Sequence, residues 1–419
     1  MKTHGVAIGL GLTLGLLGCA DQGQLARSEA AQNIGSTAAA ISGPTASTGR
    51  KTPPATDPVK LQGMLQKARY ARTSQLSAAA KADVRAARAH SIPHFAGSYT
   101  LGGQTYPYTI AGADPRHDCD DGASVKSTIL PIALIFDEYA DASGNPLVID
   151  ATPNVAQVVG GPNFVGANYE TGKNIQFQDA VQRAQFWGVE KQGYHFRMAA
   201  PRVQRTLTLE VPVGAAQLFA IPGTTTYATL IDPNWFNSQL TTLTQLADFR
   251  YDELAILFTP NMFISDPSGG LILGFHTAWD AQNPISGPSD PGTAKYVQTF
   301  AWASWIDPNL FGAGFSDITA LSHELAEWTN DPFVDNATQN WAFPNSNGLA
   351  CQNNLETGDP VEVLANPSFP VTINGFTYHP QTEALLQWFT HESPSTAYRG
   401  AYSFPDRTAL PTYADACAQ

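Results

Sequence analysis

The sequence is short of charge. Lys and Arg number 23 and Asp and Glu 36, together 14% of the chain, and the formal net charge is −13. That deficit of basic residues, with no basic stripe in the C-terminal three quarters, excludes a nucleic-acid partner, whose phosphates such a chain would repel. Cysteine is scarce: Cys19, Cys119, Cys351 and Cys417 are the only four. No CxxC spacing occurs among them, which argues against a thiolate zinc site. Beyond the N-terminus no apolar run approaches the ~20 residues that a membrane-spanning helix needs. An internal repeat and a Gly-rich phosphate loop are also missing. So is a Gly-x-Ser-x-Gly elbow, which leaves a serine hydrolase unsupported. What the chain has instead is 43% hydrophobic residues with 35 Gly and 30 Pro, the composition of a loop-rich globular protein.

The N-terminus reads as a targeting signal. Met1, Lys2, Thr3 and His4 form a short basic start, and residues 6–17 are apolar. That stretch fits a secretory signal rather than a membrane span. It closes on Leu16, Leu17, Gly18 and Cys19, which resembles the lipobox of bacterial lipoproteins. The resemblance implies cleavage before Cys19, diacylglycerol on its thiol, and an exported protein anchored to the cell envelope by lipid. Export would place the other three cysteines in an oxidising compartment. Three is odd, so at most one intramolecular pair forms. Cys351 with Cys417 is the preferred pair, both lying in the C-terminal half.

Four segments follow from composition and period. Residues 1–18 are the signal peptide. Residues 19–57, rich in Ala, Ser, Thr, Gly and Gln, read as a flexible tether. Residues 58–91 read as an amphipathic helical segment, with Leu61, Met64, Leu65, Ala68, Ala71 and Leu76 at helical spacing. It is expected to pack on its own domain, with a basic membrane-surface helix or a removable pro-segment as other readings. Residues 92–419 form the globular domain. There, Gly102 and Gly103 mark a two-residue hairpin turn. Strands are expected at 129–136, 206–213, 254–259, 271–275 and 296–303, and helices at 174–187 and 235–247. Mixed strands and helices give an α+β class with a mixed sheet packed with helices.

The informative segment is 316–332. Ser316 or Asp317 can cap a helix start, and Asp331 before Pro332 ends it. At ~100° per residue, Ile318, Leu321, Leu325 and Trp328 share one apolar sector. His323 and Glu327 stand one turn apart on the opposite side, with Glu324 next to them. An imidazole and a carboxylate so placed can close on one metal ion, leaving Glu324 where a general base belongs. The acidic loop about thirty residues on, with Glu356 and Asp359, offers a third ligand. His276 and His379, both beside aromatic residues, read as hydrogen-bonded core histidines; the other reading places them near the metal, with transition-state stabilisation by an imidazole as the role. The acidic run at 117–122 lacks EF-hand spacing and reads as a solvated turn.

His323-Glu324-Leu325-Ala326-Glu327 resembles the HExxH helix of zinc metallopeptidases, with Glu327 where that family has a second His. With Thr329, Asn330, Asp331 and Pro332, then Trp341, Cys351 and 356–359, it also resembles the plant exordium (phosphate-induced) proteins and related bacterial secreted proteins. In glutamate-type zincins the third ligand arrives from a comparable distance. That favours Glu356, with Asp359 as a second ligand or an orienting carboxylate. The resemblance implies a zincin-like metallopeptidase domain holding Zn2+, or a harder divalent ion given the carboxylate. His323, Glu327, Glu356 and Asp359 would be its ligands, Glu324 its base, and a peptide or protein its substrate. The other reading is a non-catalytic cell-surface lipoprotein with a structural metal in the same fold.

Overall fold

The computed structural model describes residues 49–54, 68–69, 78–117, 124–190, 193–221, 224–265, 271–281, 296–308, 310–311, 315–345, 348–415 and 417. The signal peptide, Cys19 and most of the tether lie outside the described residues, as do 118–123 in the acidic run. Among the described residues no helix is long and apolar enough to cross a membrane.

Five strands make the framework of the unit spanning 46–419. They are β1 (Ser124–Ala140), β2 (Leu207–Val211), β3 (Glu253–Pro260), β4 (Gly274–Ala281) and β5 (Tyr296–Trp305). Their order is β2-β1-β3-β5-β4. The first four run parallel, and β4 closes the path antiparallel to β5. The sheets are mixed and helices pack on them, so the α+β expectation holds.

The main sheet is covered on both faces, which is why β3 and β5 are buried along their whole length. Alternation divides each strand between the two covers. Leu254, Ile256 and Phe258 face one core, and Ala255 and Leu257 the other. Of the helices α1 (Ala78–Ala87), α2 (Phe177–Gln185), α3 (Pro233–Leu246) and α4 (Thr319–Asn330), α3 joins the second core through Phe236 and Leu243. Ile318, at the start of α4, joins the first core with Leu321, Leu325 and Trp328 of the helix. The apolar sector read from the 316–332 segment is the face that packs on the sheet.

Several local expectations are corrected. The segment 58–91 is not one helix: Ala68–Arg69 is extended and pairs parallel with Leu271–Ile272, and helix occupies only Ala78–Ala87 of the described part. A sheet edge there satisfies backbone groups that a helix would have satisfied internally. The strand expected at 271–275 divides, and its second part runs on to Ala281. Neither Ser316 nor Asp317 occupies the N-cap of α4, which is Ile318 without a side-chain cap. The Asp317 carboxylate instead accepts from Ile318 N and from His379 N. The Gly102-Gly103 hairpin is present, joining His94–Leu101 to Gln104–Ala111. Both glycines have positive φ, 60° and 83°, as a type I′ turn requires. Cys351 and Cys417 are bonded, closing a loop with a sequence separation of 66.

Candidate metal centre

All twelve residues of α4 are buried, so the polar side predicted for this helix does not face water. It meets the segment that follows the hairpin of β6 (Ala337–Asn345) and β7 (Gly348–Asn354), together with the short helix α5 (Asp359–Glu362). His323 Nε2 lies 3.1 Å from Glu327 Oε1 and 3.8 Å from Asp359 Oδ1. These three residues can offer ligand atoms within 4.8 Å of one another. Asp359, rather than Glu356, is the residue that the loop delivers to this group. The turn at Gly358 is responsible: the amides of Gly358 and Asp359 both donate to Glu327 Oε1, at 3.1 and 3.2 Å.

A second histidine belongs to the cluster. On β4, Phe275 and Trp279 pack in the second core while Ala278 packs in the first, so Gly274, His276 and Ala278 point towards α4. His276 Nδ1 stands 3.4 Å from Glu324 Oε2 and 3.6 Å from Glu327 Oε2. His276 Nε2 faces Glu356 Oε2 at 3.8 Å. The core reading of His276 captured its burial, and the other reading its nearness to the cluster. No local sequence signal chooses between them; Gly274, two residues before, makes room, since a side chain there would strike Glu324 Oε1 at 2.7 Å. His379 is elsewhere, its Nδ1 2.6 Å from Asp317 Oδ2 at the start of the helix.

Burial decides the charge state of these groups. It pushes His276 down to about 3, with His323 adding to the effect. It likewise pushes His323 down to about 4, against the pull of Asp359 and of a hydrogen bond that the imidazole donates to the Gln381 side chain. Both rings are therefore neutral at pH 7, the form that binds a metal. Burial, then the carboxylates of Glu327, Glu356, Asp359 and Glu362, hold Glu324 well above the usual carboxyl range. Burial, then Asp359, does the same to Glu327, partly offset by hydrogen bonds from Glu356, Gly358 and Asp359. Asp331 and Glu383, also buried, are raised too. Among the described residues the ion-pair partners of Glu324 and Glu327 are histidines, not Lys or Arg.

The residues present fit a divalent ion. Ligands at 2.0–2.2 Å from a tetrahedral zinc stand roughly 3.3–3.6 Å apart, and the separations here run from 3.1 to 3.8 Å. Apart from the 3.1 Å between His323 and Glu327, these distances are long for direct hydrogen bonds. Outer partners hold the carboxylates in register. Gln352 Nε2 donates to Asp359 Oδ2 at 2.5 Å and Asn354 Nδ2 to Glu356 Oε1 at 2.5 Å. That leaves Asp359 Oδ1 towards His323 and Glu356 Oε2 towards His276. Gln381 is itself fixed, donating to Ser322 Oγ and to the Gly358 carbonyl. Sequence reasoning missed Gln352, Asn354, Gln381, Glu362 and Glu383, which carry no motif.

The chain matches no protein-family model, no curated protein and no solved structure.

Proposed function

We propose that this chain is a metal-dependent hydrolase with a zincin-like active-site helix, an exported zinc peptidase anchored by lipid at Cys19. His323, Glu327 and Asp359 hold the ion. The observation that carries the reading is the convergence of these three side chains, 0–3% exposed, at ligand spacing and, among the described residues, with no Lys or Arg paired to Glu327. Isolated buried carboxylates are costly unless neutralised or coordinated, and a dication supplies that neutralisation.

A bound zinc ion provides Lewis acidity towards a carbonyl and acidifies water. The chain's own residues do the rest. Glu324 Oε2, beside the triad and with its carboxyl raised by burial and neighbouring carboxylates, is placed to take a proton from water and return it to a leaving amine. Gln352 and the Gly358 and Asp359 amides keep the ligand carboxylates oriented. The site helix also lies beneath β4, the edge strand of the main sheet, and a sheet edge offers main-chain hydrogen bonds to an extended peptide.

The test is cleavage of a peptide library by zinc-loaded protein. Glu324→Gln should keep the ion while cleavage falls ~10²–10⁴-fold, the usual worth of a general base. Loss of the ion in that variant, or undiminished cleavage, contradicts the assignment. Complete burial of the ligand groups favours a second reading, a structural metal in a non-catalytic surface lipoprotein. It predicts that chelation lowers the melting temperature while no peptide is cut.

A further inference from the structure

The cluster contains more ligand chemistry than one ion uses. Glu327 sits at its centre with its two oxygens turned to different histidines, Oε1 to His323 Nε2 at 3.1 Å and Oε2 to His276 Nδ1 at 3.6 Å. The second oxygen shares its side of the cluster with Glu324 Oε2, 3.4 Å from the same imidazole nitrogen. His276, Glu324 and Glu327 thus repeat the composition of the first triad, one imidazole and two carboxylates, again within 4.8 Å of one another.

His276 is 1% exposed and Glu324 fully buried. Glu324 Oε1 has no hydrogen-bond partner among the described residues, and its Oε2 stands 3.4 Å from His276 Nδ1, longer than a well-formed hydrogen bond. A buried carboxylate so poorly bonded is unfavourable unless something coordinates or neutralises it. The distance from His276 Nε2 to Glu356 Oε2, 3.8 Å, places a carboxylate behind the ring. A carboxylate there orients a metal-ligating imidazole through its second nitrogen. Room for the arrangement comes from Gly274, where an added Cβ would press on Glu324 Oε1 and on the Trp302 carbonyl.

We propose that the cluster is a two-ion centre in which Glu327 bridges two divalent cations, one held with His323 and Asp359, the other with His276 and Glu324. The proposal rests on the reading of His323, Glu327 and Asp359 as a metal triad and extends it. Charge favours it: one dication balances two carboxylates, whereas Glu324, Glu327, Glu356 and Asp359 together need two. Two-metal sites place their ions ~3.5–4 Å apart, the span of a bridging carboxylate. The second ion takes Glu324 Oε2 as a ligand.

The experiment is metal stoichiometry of the full chain. Protein stripped with chelator is titrated with Zn2+, and bound ions per chain are counted by mass spectrometry of the eluted metal and by calorimetry. Parallel loading with Mn2+ is read by electron paramagnetic resonance. Wild type should bind two zinc ions, and two manganese ions should give an exchange-coupled spectrum. His276→Asn should bind one ion with unchanged first affinity and show an uncoupled spectrum. Glu324→Gln, isosteric and safer for folding, should weaken the second ion at least tenfold and leave the first. One ion in wild type overturns the two-ion centre and leaves the triad standing. Two ions in both wild type and His276→Asn overturn it as well, because the second ion then lies elsewhere. No ion in wild type sinks the triad and the two-ion centre together.

Discussion

Gly358→Ala should disable the metal centre without removing a single ligand. Gly358 has φ −82° and ψ −38°, a right-handed conformation that alanine adopts freely, so the backbone is not strained. The new methyl carbon would lie 2.2 Å from His323 Nδ1 and 2.5 Å from its Cε1. Packed carbon contacts settle at ~3.5–4.0 Å, so ring and loop must separate by more than about 1 Å. His323 is fully buried, and the loop that would yield carries Asp359. Metal–ligand distances tolerate only about 0.2 Å, so either movement breaks the triad. Overpacking of this kind costs ~1–3 kcal/mol. The clearer readout is zinc-dependent stability. Zinc at 1,000 times its Kd stabilises by ~4 kcal/mol. With an unfolding entropy of ~2.1 cal/mol/K per residue, a unit of about 370 residues should gain ~5 °C in Tm. Differential scanning calorimetry with and without zinc should show that gain in wild type and none in Gly358→Ala. A variant that keeps the wild-type zinc shift and affinity would refute the steric argument, and with it the placement of His323 against the Gly358 turn.

Other consequences are measurable. Metal-free protein should lose stability as pH rises from about 6.5 to 8. The raised carboxyls of Glu324 and Glu327 hold protons that the unfolded chain has released above 4.5, so folding weakens with pH. His323, lowered from 6.5 to about 4, acts oppositely, but its contribution is complete above 6.5 and is lost only as pH falls towards 4. Zinc replaces those protons, so the gap in Tm between zinc-bound and metal-free protein should widen from pH 6.5 to 8; a constant gap contradicts this. Breaking the Cys351–Cys417 bond, which spans 66 residues, should cost roughly 4 kcal/mol by loop entropy, read as a lower denaturant midpoint for Cys417→Ser; an unchanged midpoint argues against that magnitude. Cys19→Ser should move the protein from the membrane fraction to the soluble exported fraction, whereas unchanged membrane retention argues against a lipid anchor.

How much of this was legible in the sequence depends on the range of the interaction. Local patterns were readable. Alternation and apolar runs located the middle of β1, all of β2 and most of β3 and β5, the glycine pair marked the hairpin turn, and helical spacing from Ile318 to Trp328 identified the core face of α4. Long-range pairings were not. His276 enters the cluster because β4 lies antiparallel to β5 in a register that sets Gly274 opposite Ala303, and no local signal encodes that register. Glu356 and Asp359 are three residues apart in one loop, and spacing cannot rank them. The amides after Thr357 rank them, by anchoring Glu327 and swinging Asp359 towards His323. The depth at which the polar side of α4 is buried was not legible, because a helical wheel cannot show a second layer. The 354–384 segment supplies that layer, closing over the helix through Gln381 and Glu383.

The most direct measurement is an anomalous difference map, collected at the zinc edge, from crystals of the zinc-loaded full chain. The account predicts a peak ~2.0–2.2 Å from His323 Nε2 and from carboxylate oxygens of Glu327 and Asp359. A map with no peak between these side chains, or with zinc bound only at surface residues, contradicts the metal centre on which the proposed activity depends.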